Sequence, residues 1–293
     1  MKIRRITGVV FALCFFMPIC ALASNFDHIV AFGDSLSDNG NLYADDPSAC
    51  PAETYYQGRF SNGLVWVDYL AEADYLDATL INNAYGGANT GDLIDQVTAY
   101  INAGTLDQNA LITIWIGGND FLGGSSDYEQ SADNVKIALD ALATFGAESI
   151  LILNLSDLGA IPAINADTNA AALATLWTEN YNVELKDNVD VFKSENPGIT
   201  VYYLDIYALF QDIVANPANY GLSNVDSICP NSLETNNFDN DDGYLFWDAT
   251  HPTTEAHEEV AERATSLVSP SSDSDSDDGG GGGCLISTMV VDW

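Results

Sequence analysis

Serine, histidine and aspartate are the side chains of nucleophilic acyl transfer, and one of each stands in a telling local setting here. Ser35 follows the apolar run Ile29-Val30-Ala31-Phe32 and a Gly33-Asp34 turn. In an open α/β sheet, ligands bind beyond the carboxyl ends of the strands, so a serine at that spot can serve as nucleophile and offer its N–H to an anion. Asp248 and His251 lie three residues apart in Phe246-Trp247-Asp248-Ala249-Thr250-His251-Pro252. At that spacing the carboxylate can hydrogen-bond the imidazole, fix its tautomer and support its positive charge while His251 takes the Ser35 proton. Plainer roles exist: Ser35 as a helix cap, Asp248 as a turn cap and His251 as a loop residue. The other histidines are poorer bases. His28 precedes the first strand, at its wrong end, and His257 sits among Glu255, Glu258 and Glu259, so both read as surface positions.

The elements that must position these residues alternate in type. Strands are expected at Ile29–Phe32, Ala78–Ala84, Leu111–Ile116, Ile150–Leu155 and Thr200–Leu204. Helices are expected at Leu64–Ala73, Asp92–Ile101, Asp127–Phe145, Asp167–Glu195, Ile206–Val214 and Thr253–Val268, with an irregular stretch from Asn216 to Tyr244. Such alternation implies βαβ units and a mostly parallel sheet. Three strands end in Gly-rich polar turns, at Ser35, Gly87 and Asn119, which puts three loops on one edge of that sheet.

Composition bounds the rest. The length of 293 residues allows one large core. Lys2, Arg4 and Arg5 precede an apolar run from Ile6 to Ile19 and an Ala21-Leu22-Ala23 site, which reads as a signal peptide over residues 1–23. That run is too short to span a membrane, and Ile19 before Cys20 argues against lipidation. The expected destination is secreted or periplasmic. Without the leader, five basic residues face 43 acidic ones, a formal charge of −38. That charge argues against nucleic-acid partners and anionic lipid. Ser269–Gly283 reads as a Ser/Asp/Gly linker, and Cys284–Trp293 as a short tail weakly similar to sorting tails, though without a hydrophobic span or basic end. No zinc-type spacing occurs, the acidic run after Phe238 fails the EF-hand frame, and no cofactor is called for. Cys50 and Cys229, each beside a proline in loop sequence of an exported chain, are expected to form a disulfide, with Cys284 the odd one out.

Four ordered blocks are similar to one family. Gly33-Asp34-Ser35-Leu36-Ser37, Asn82-x-Ala84-x-Gly86-Gly87-Ala88, Gly117-Gly118-Asn119-Asp120 and Asp248-x-x-His251-Pro252 resemble the GDSL (SGNH) hydrolases. Gly58-Arg59-Phe60-Ser61-Asn62-Gly63-Leu64-Val65-Trp66 resembles a segment of their lipase and esterase branch. The resemblance covers nearly the whole of Asp27–Val268, within a hydrolase domain expected over residues 24–268, and implies a three-layer α/β/α sandwich with a mostly parallel central sheet. It implies Ser35 as nucleophile, His251 as base and Asp248 as its orienting acid. The Ser35 and Gly87 N–H groups and the Asn119 amide would form the oxyanion hole, where one donor is worth about 2.7–4 kcal/mol of barrier. The substrate would be a small-molecule or lipid acyl ester. Tyr85, Trp247 and Phe121 are candidates to line an acyl pocket, although aromatics are more often core. A carbohydrate O-deacetylase and a non-catalytic surface binding module remain as alternatives.

Overall fold

A computed structural model of the chain describes residues 26–104, 106, 109–238 and 243–269. The expected leader, the acidic 239–242 run, the linker beyond Ser269 and the tail with Cys284 lie outside the described residues.

Five strands form the sheet: β1 (His28–Gly33), β2 (Thr79–Asn82), β3 (Ala110–Trp115), β4 (Ser149–Leu153) and β5 (Thr200–Leu204). They are all parallel, in the order β2-β1-β3-β4-β5. All six β3 residues are buried, as an apolar run covered on both faces must be. The edge strand β2 is largely uncovered.

Helices α1 (Asn41–Asp45) and α2 (Trp66–Ala71) lie between β1 and β2, and α3 (Thr90–Ala103) leads to β3. After β3 come α4 (Gly118–Leu122) and α5 (Tyr128–Phe145); α6 (Thr168–Glu195) follows β4; α7 (Ile206–Ala215) and α8 (Thr254–Val268) follow β5. Several starts are written into the acidic composition. The Asn89, Asp127, Asp167 and Asp205 side chains each accept backbone N–H groups at the heads of α3, α5, α6 and α7. Winding runs one way from β1 to β2 and the other way from β2 onward. Right-handed crossovers then put α2 on one face and α3, α5 and α6 on the other. The packing agrees: α5 lies against both α3 and α6, while α2 pairs with α8. This is the expected three-layer sandwich.

Two expectations change. The stretch from Asn216 to Tyr244 is not wholly irregular: β6 (Asn224–Ile228) pairs in parallel with β7 (Tyr244–Phe246). Both strands are too short for a two-residue alternation to show, and their pairing depends on a partner distant in sequence. The expected Cys50–Cys229 bridge is also absent among the described residues. Both side chains are fully buried. Burial, with the Asp38 and Asp248 charges, pushes the Cys50 thiol up to about 12, so in the folded chain it stays protonated.

Candidate active site

The order β2-β1-β3 brings the three Gly-rich turns side by side at the carboxyl edge, where the winding direction reverses and open α/β sheets bind their ligands. Gly33 ends β1 with φ +152°, and a Cβ there would meet the Trp115 carbonyl oxygen at 2.4 Å, so only glycine lets the chain leave the sheet this way. Asp34 then builds one tight turn: its carbonyl accepts from the Ser37 and Asp38 N–H groups, and its Oδ1 accepts from the Leu36 N–H at 3.0 Å. Ser35 therefore sits on this single turn rather than at the head of a helix, with 8% of its surface exposed.

From the far end of the chain, the loop between β7 and α8 delivers the partners. His251 Nε2 lies 2.8 Å from Ser35 Oγ, and His251 Nδ1 lies 2.7 Å from Asp248 Oδ2. The Thr250 and His251 N–H groups donate to Asp248 Oδ1 at 2.7 Å, so the carboxylate shapes the turn that carries the imidazole. Burial works to raise the Asp248 carboxyl. The His251 charge and hydrogen bonds from His251 and Tyr55 outweigh it and hold the group well below the ordinary carboxylate range.

Several supporting residues had no role in the sequence reading. Tyr55 Oη donates to Asp248 Oδ2 at 2.6 Å, and burial followed by the Asp248 charge keeps that phenol protonated. Phe60 stacks on the His251 ring, centroids 5.0 Å apart. Its neighbours hold the same loop: Ser61 Oγ donates to the Pro252 carbonyl at 2.9 Å, and Asn62 Oδ1 accepts from the Thr254 N–H at 2.9 Å. Arg59 pairs with Asp68 at the start of α2 through Nε–Oδ2 at 2.6 Å and Nη2–Oδ1 at 3.1 Å. The Gly58–Gly63 block thus braces the histidine. Only its similarity to the family segment marked it; nothing local in the sequence pointed to Tyr55.

Asp38 is the other brace. Fully buried, it accepts from the Gly40, Asn41 and Leu42 N–H groups and, across the site, from the Gly86 N–H at 2.8 Å. On the other flank of Gly87, Asn119 Nδ2 donates to the Ala88 carbonyl at 3.0 Å. Gly87, at φ +81°, is therefore held between residues tied to the Ser35 loop and to Asn119. Among the described residues, no protein acceptor takes the Ser35 or Gly87 N–H. Asn119 keeps a second amide N–H for a ligand.

Ser35, Asn119 and His251 line one narrow cavity of about 40 Å³, together with Leu36, Leu158 and Phe210. Gly87 instead borders a wider groove of about 720 Å³ that carries Asp45, Asp92 and Asp95. The aromatic candidates for an acyl pocket are elsewhere. Tyr85 lines the wide groove, Phe121 packs on Trp177, and Trp247 is fully buried with Nε1 donating to the Thr54 carbonyl. His257 also departs from expectation. It is buried on the inner face of α8, and burial, with the His251 charge, lowers it to about 3. His28 begins β1, at the end away from Ser35. Among the described residues, no group of three or more His, Cys, Asp or Glu side chains is placed to hold a metal ion.

A serine, an imidazole and a carboxylate linked at hydrogen-bond distance on the carboxyl edge of a parallel sheet define the serine hydrolase class. Similarity narrows the class. The family model described as GDSL-like Lipase/Acylhydrolase matches residues 29–264, and the chain belongs to that family. The phosphatidylcholine-sterol acyltransferase of Aeromonas hydrophila is 27% identical over 83% of this chain and 90% of its own length. The thermolabile hemolysin of Vibrio parahaemolyticus is 30% identical over 80% of this chain, which spans 62% of that relative. Among solved structures, a GDSL-like lipase from Parabacteroides merdae shares the fold, with a TM-score of 0.55 at 15% identity over 84% of this chain and 97% of that one. Family membership makes the chain a serine ester hydrolase.

Proposed function

We propose that this is an exported hydrolase of neutral or zwitterionic acyl esters, with Ser35, His251 and Asp248 as its catalytic triad. The observation that carries the reading is the relay of 2.8 Å and 2.7 Å contacts from Ser35 Oγ through His251 to Asp248. Ser35 Oγ attacks the ester carbonyl carbon as its proton passes to His251 Nε2. The tetrahedral oxyanion takes hydrogen bonds from the Ser35 and Gly87 N–H groups and the Asn119 amide. The imidazolium then protonates the departing alkoxide, which leaves as the alcohol and an acyl ester on Ser35. Water, deprotonated by the same imidazole, attacks that ester, and the Ser35 oxygen recovers the proton as the carboxylic acid departs. A second alcohol in place of water would make the same centre an acyltransferase.

The acidic groove beside Gly87 and the formal charge of −35 for the whole chain disfavour anionic substrates. Export rests on the leader read in residues 1–23, and N-terminal sequencing of protein from the medium or periplasm should begin at Ser24. A second reading, hydrolysis of acetyl esters such as those of O-acetylated carbohydrate, is favoured by the small 40 Å³ cavity at Ser35. The deciding experiment pairs an organophosphonate with p-nitrophenyl esters of increasing chain length. Phosphonate on Ser35 alone, with activity lost in Ser35→Ala, is the expected result; label on another residue, or an active Ser35→Ala protein, refutes the triad.

A further inference from the structure

The cavity at Ser35 has a second chamber behind it. Phe210 of α7, Phe246 at the end of β7 and Ser156 after β4 line both the 40 Å³ cavity at Ser35 and a neighbouring cavity of about 130 Å³. Beyond that shared wall the second chamber is lined by Ala160, Val214 and Leu245, together with Asp157 and Gln211. Its one carboxylate is already engaged: Asp157 Oδ1 accepts from the Gly159 N–H at 2.8 Å and from Thr175 Oγ1 at 2.7 Å. An apolar cavity of roughly 150 Å³ stays dry and holds a benzene-sized guest, so a chamber of this size suits a guest of about six carbons. The space at Ser35 alone admits little beyond an acetyl group.

We propose that the second chamber is the distal acyl subsite of this enzyme and that Phe210 and Phe246, standing between the chambers, set its acyl-chain-length preference. This rests on Ser35 being the acylated residue. A chain esterified to Ser35 and running along Leu36 and Leu158 reaches the second chamber by passing the two phenyl rings, into walls that offer apolar contact. Every methylene seated there multiplies affinity by about fourfold, the factor for burying one such group. The two rings hold the resting site to short acyl groups, and longer chains enter by displacing them. The acetyl-ester reading and the lipid-ester reading then describe the two positions of one wall.

The test compares p-nitrophenyl octanoate with p-nitrophenyl acetate, reading the ratio of their kcat/KM values. Phe210→Ala removes one ring from the shared wall and should raise the octanoate-to-acetate ratio by tenfold or more. Val214→Trp, at a position 43% exposed on the outer wall, adds bulk to the second chamber and should lower the ratio by a similar factor. This second variant keeps the test decisive if Phe210→Ala does not fold. A wild-type enzyme that cleaves both esters, with folded variants whose ratios stay within twofold of it, would overturn the subsite while leaving the triad standing. Failure of the wild type to cleave either ester would overturn both.

Discussion

Asp248 accepts hydrogen bonds from Tyr55, from the His251 ring and from two backbone N–H groups, so its charge is shared among orientation, tautomer control and loop geometry. Tyr55→Phe removes one donor and keeps the ring that packs on Phe60. Losing a hydrogen bond to a charged group should lower kcat about tenfold with KM within about twofold, as steady-state kinetics on a short-chain ester will read. Asn119 acts closer to the reacting atoms. Asn119→Ala should lower kcat by roughly 10²–10³, with a smaller change in KM, because the amide serves mainly the transition state. An unchanged kcat would remove Asn119 from the oxyanion hole and leave it only the Ala88 contact.

Between elements, the site depends on ties that no single strand or helix contains. The Asp38 carboxylate links the turn after β1 to the loop after β2, and Gln96 of α3 clamps Gly33 through both its N–H and its carbonyl. Arg59, Ser61 and Asn62 tie the segment before α2 to Asp68 and to the loop before α8. Asp38→Ala leaves four backbone N–H groups without that acceptor, and a buried donor left unmade costs about 1–3 kcal/mol. The four sites relax together, so a loss of about 3–5 kcal/mol in urea unfolding is expected, with slower phosphonate labelling of Ser35 in the protein that remains folded. Labelling at the wild-type rate would show that the tie matters for the fold alone.

At the scale of the molecule, two buried groups tilt stability with pH in opposite directions. His257 ordinarily titrates near 6.5 and is lowered to about 3 in the fold. Between those values the unfolded chain binds a proton at this residue and the native chain does not, so stability is lost as pH falls, by up to about 1.4 kcal/mol per pH unit. Burial pushes Asp34 up to about 7 from 3.8, so the native chain holds the extra proton there and stability is lost as pH rises across that window. His257→Leu deletes the first effect. Because Asp34 acts the other way, the variant's urea midpoint at pH 4.5, relative to its own midpoint at pH 7, should lie higher than the wild type's does, and an equal shift in the two proteins would refute the assignment.

Much of this protein was determined locally by its sequence. Apolar runs of strand length, Asx residues at helix starts and Gly-rich turns are properties of short stretches, so the β/α alternation, the parallel sheet and the edge bearing Ser35, Gly87 and Asn119 were all legible. The Asp248-x-x-His251 spacing was legible for the same reason, since both residues lie on one turn. Tertiary structure alone decided the rest. Nothing in the residues around Tyr55 announces Asp248, because the contact joins positions 193 apart. His257 is flanked by glutamates in sequence, yet helical geometry turns its side chain to the buried face of α8. Cys50 and Cys229 read as a bridge in their loops and prove to be two buried side chains. The cavity walls at Ser35 come from Leu36, Leu158, Phe210 and Phe246, four separate segments that only folding assembles. Hydrogen-bond caps and periodicity act over a few residues, whereas burial, ion-pair partners and cavity shape depend on which surfaces meet when the sheet and its two helical layers close.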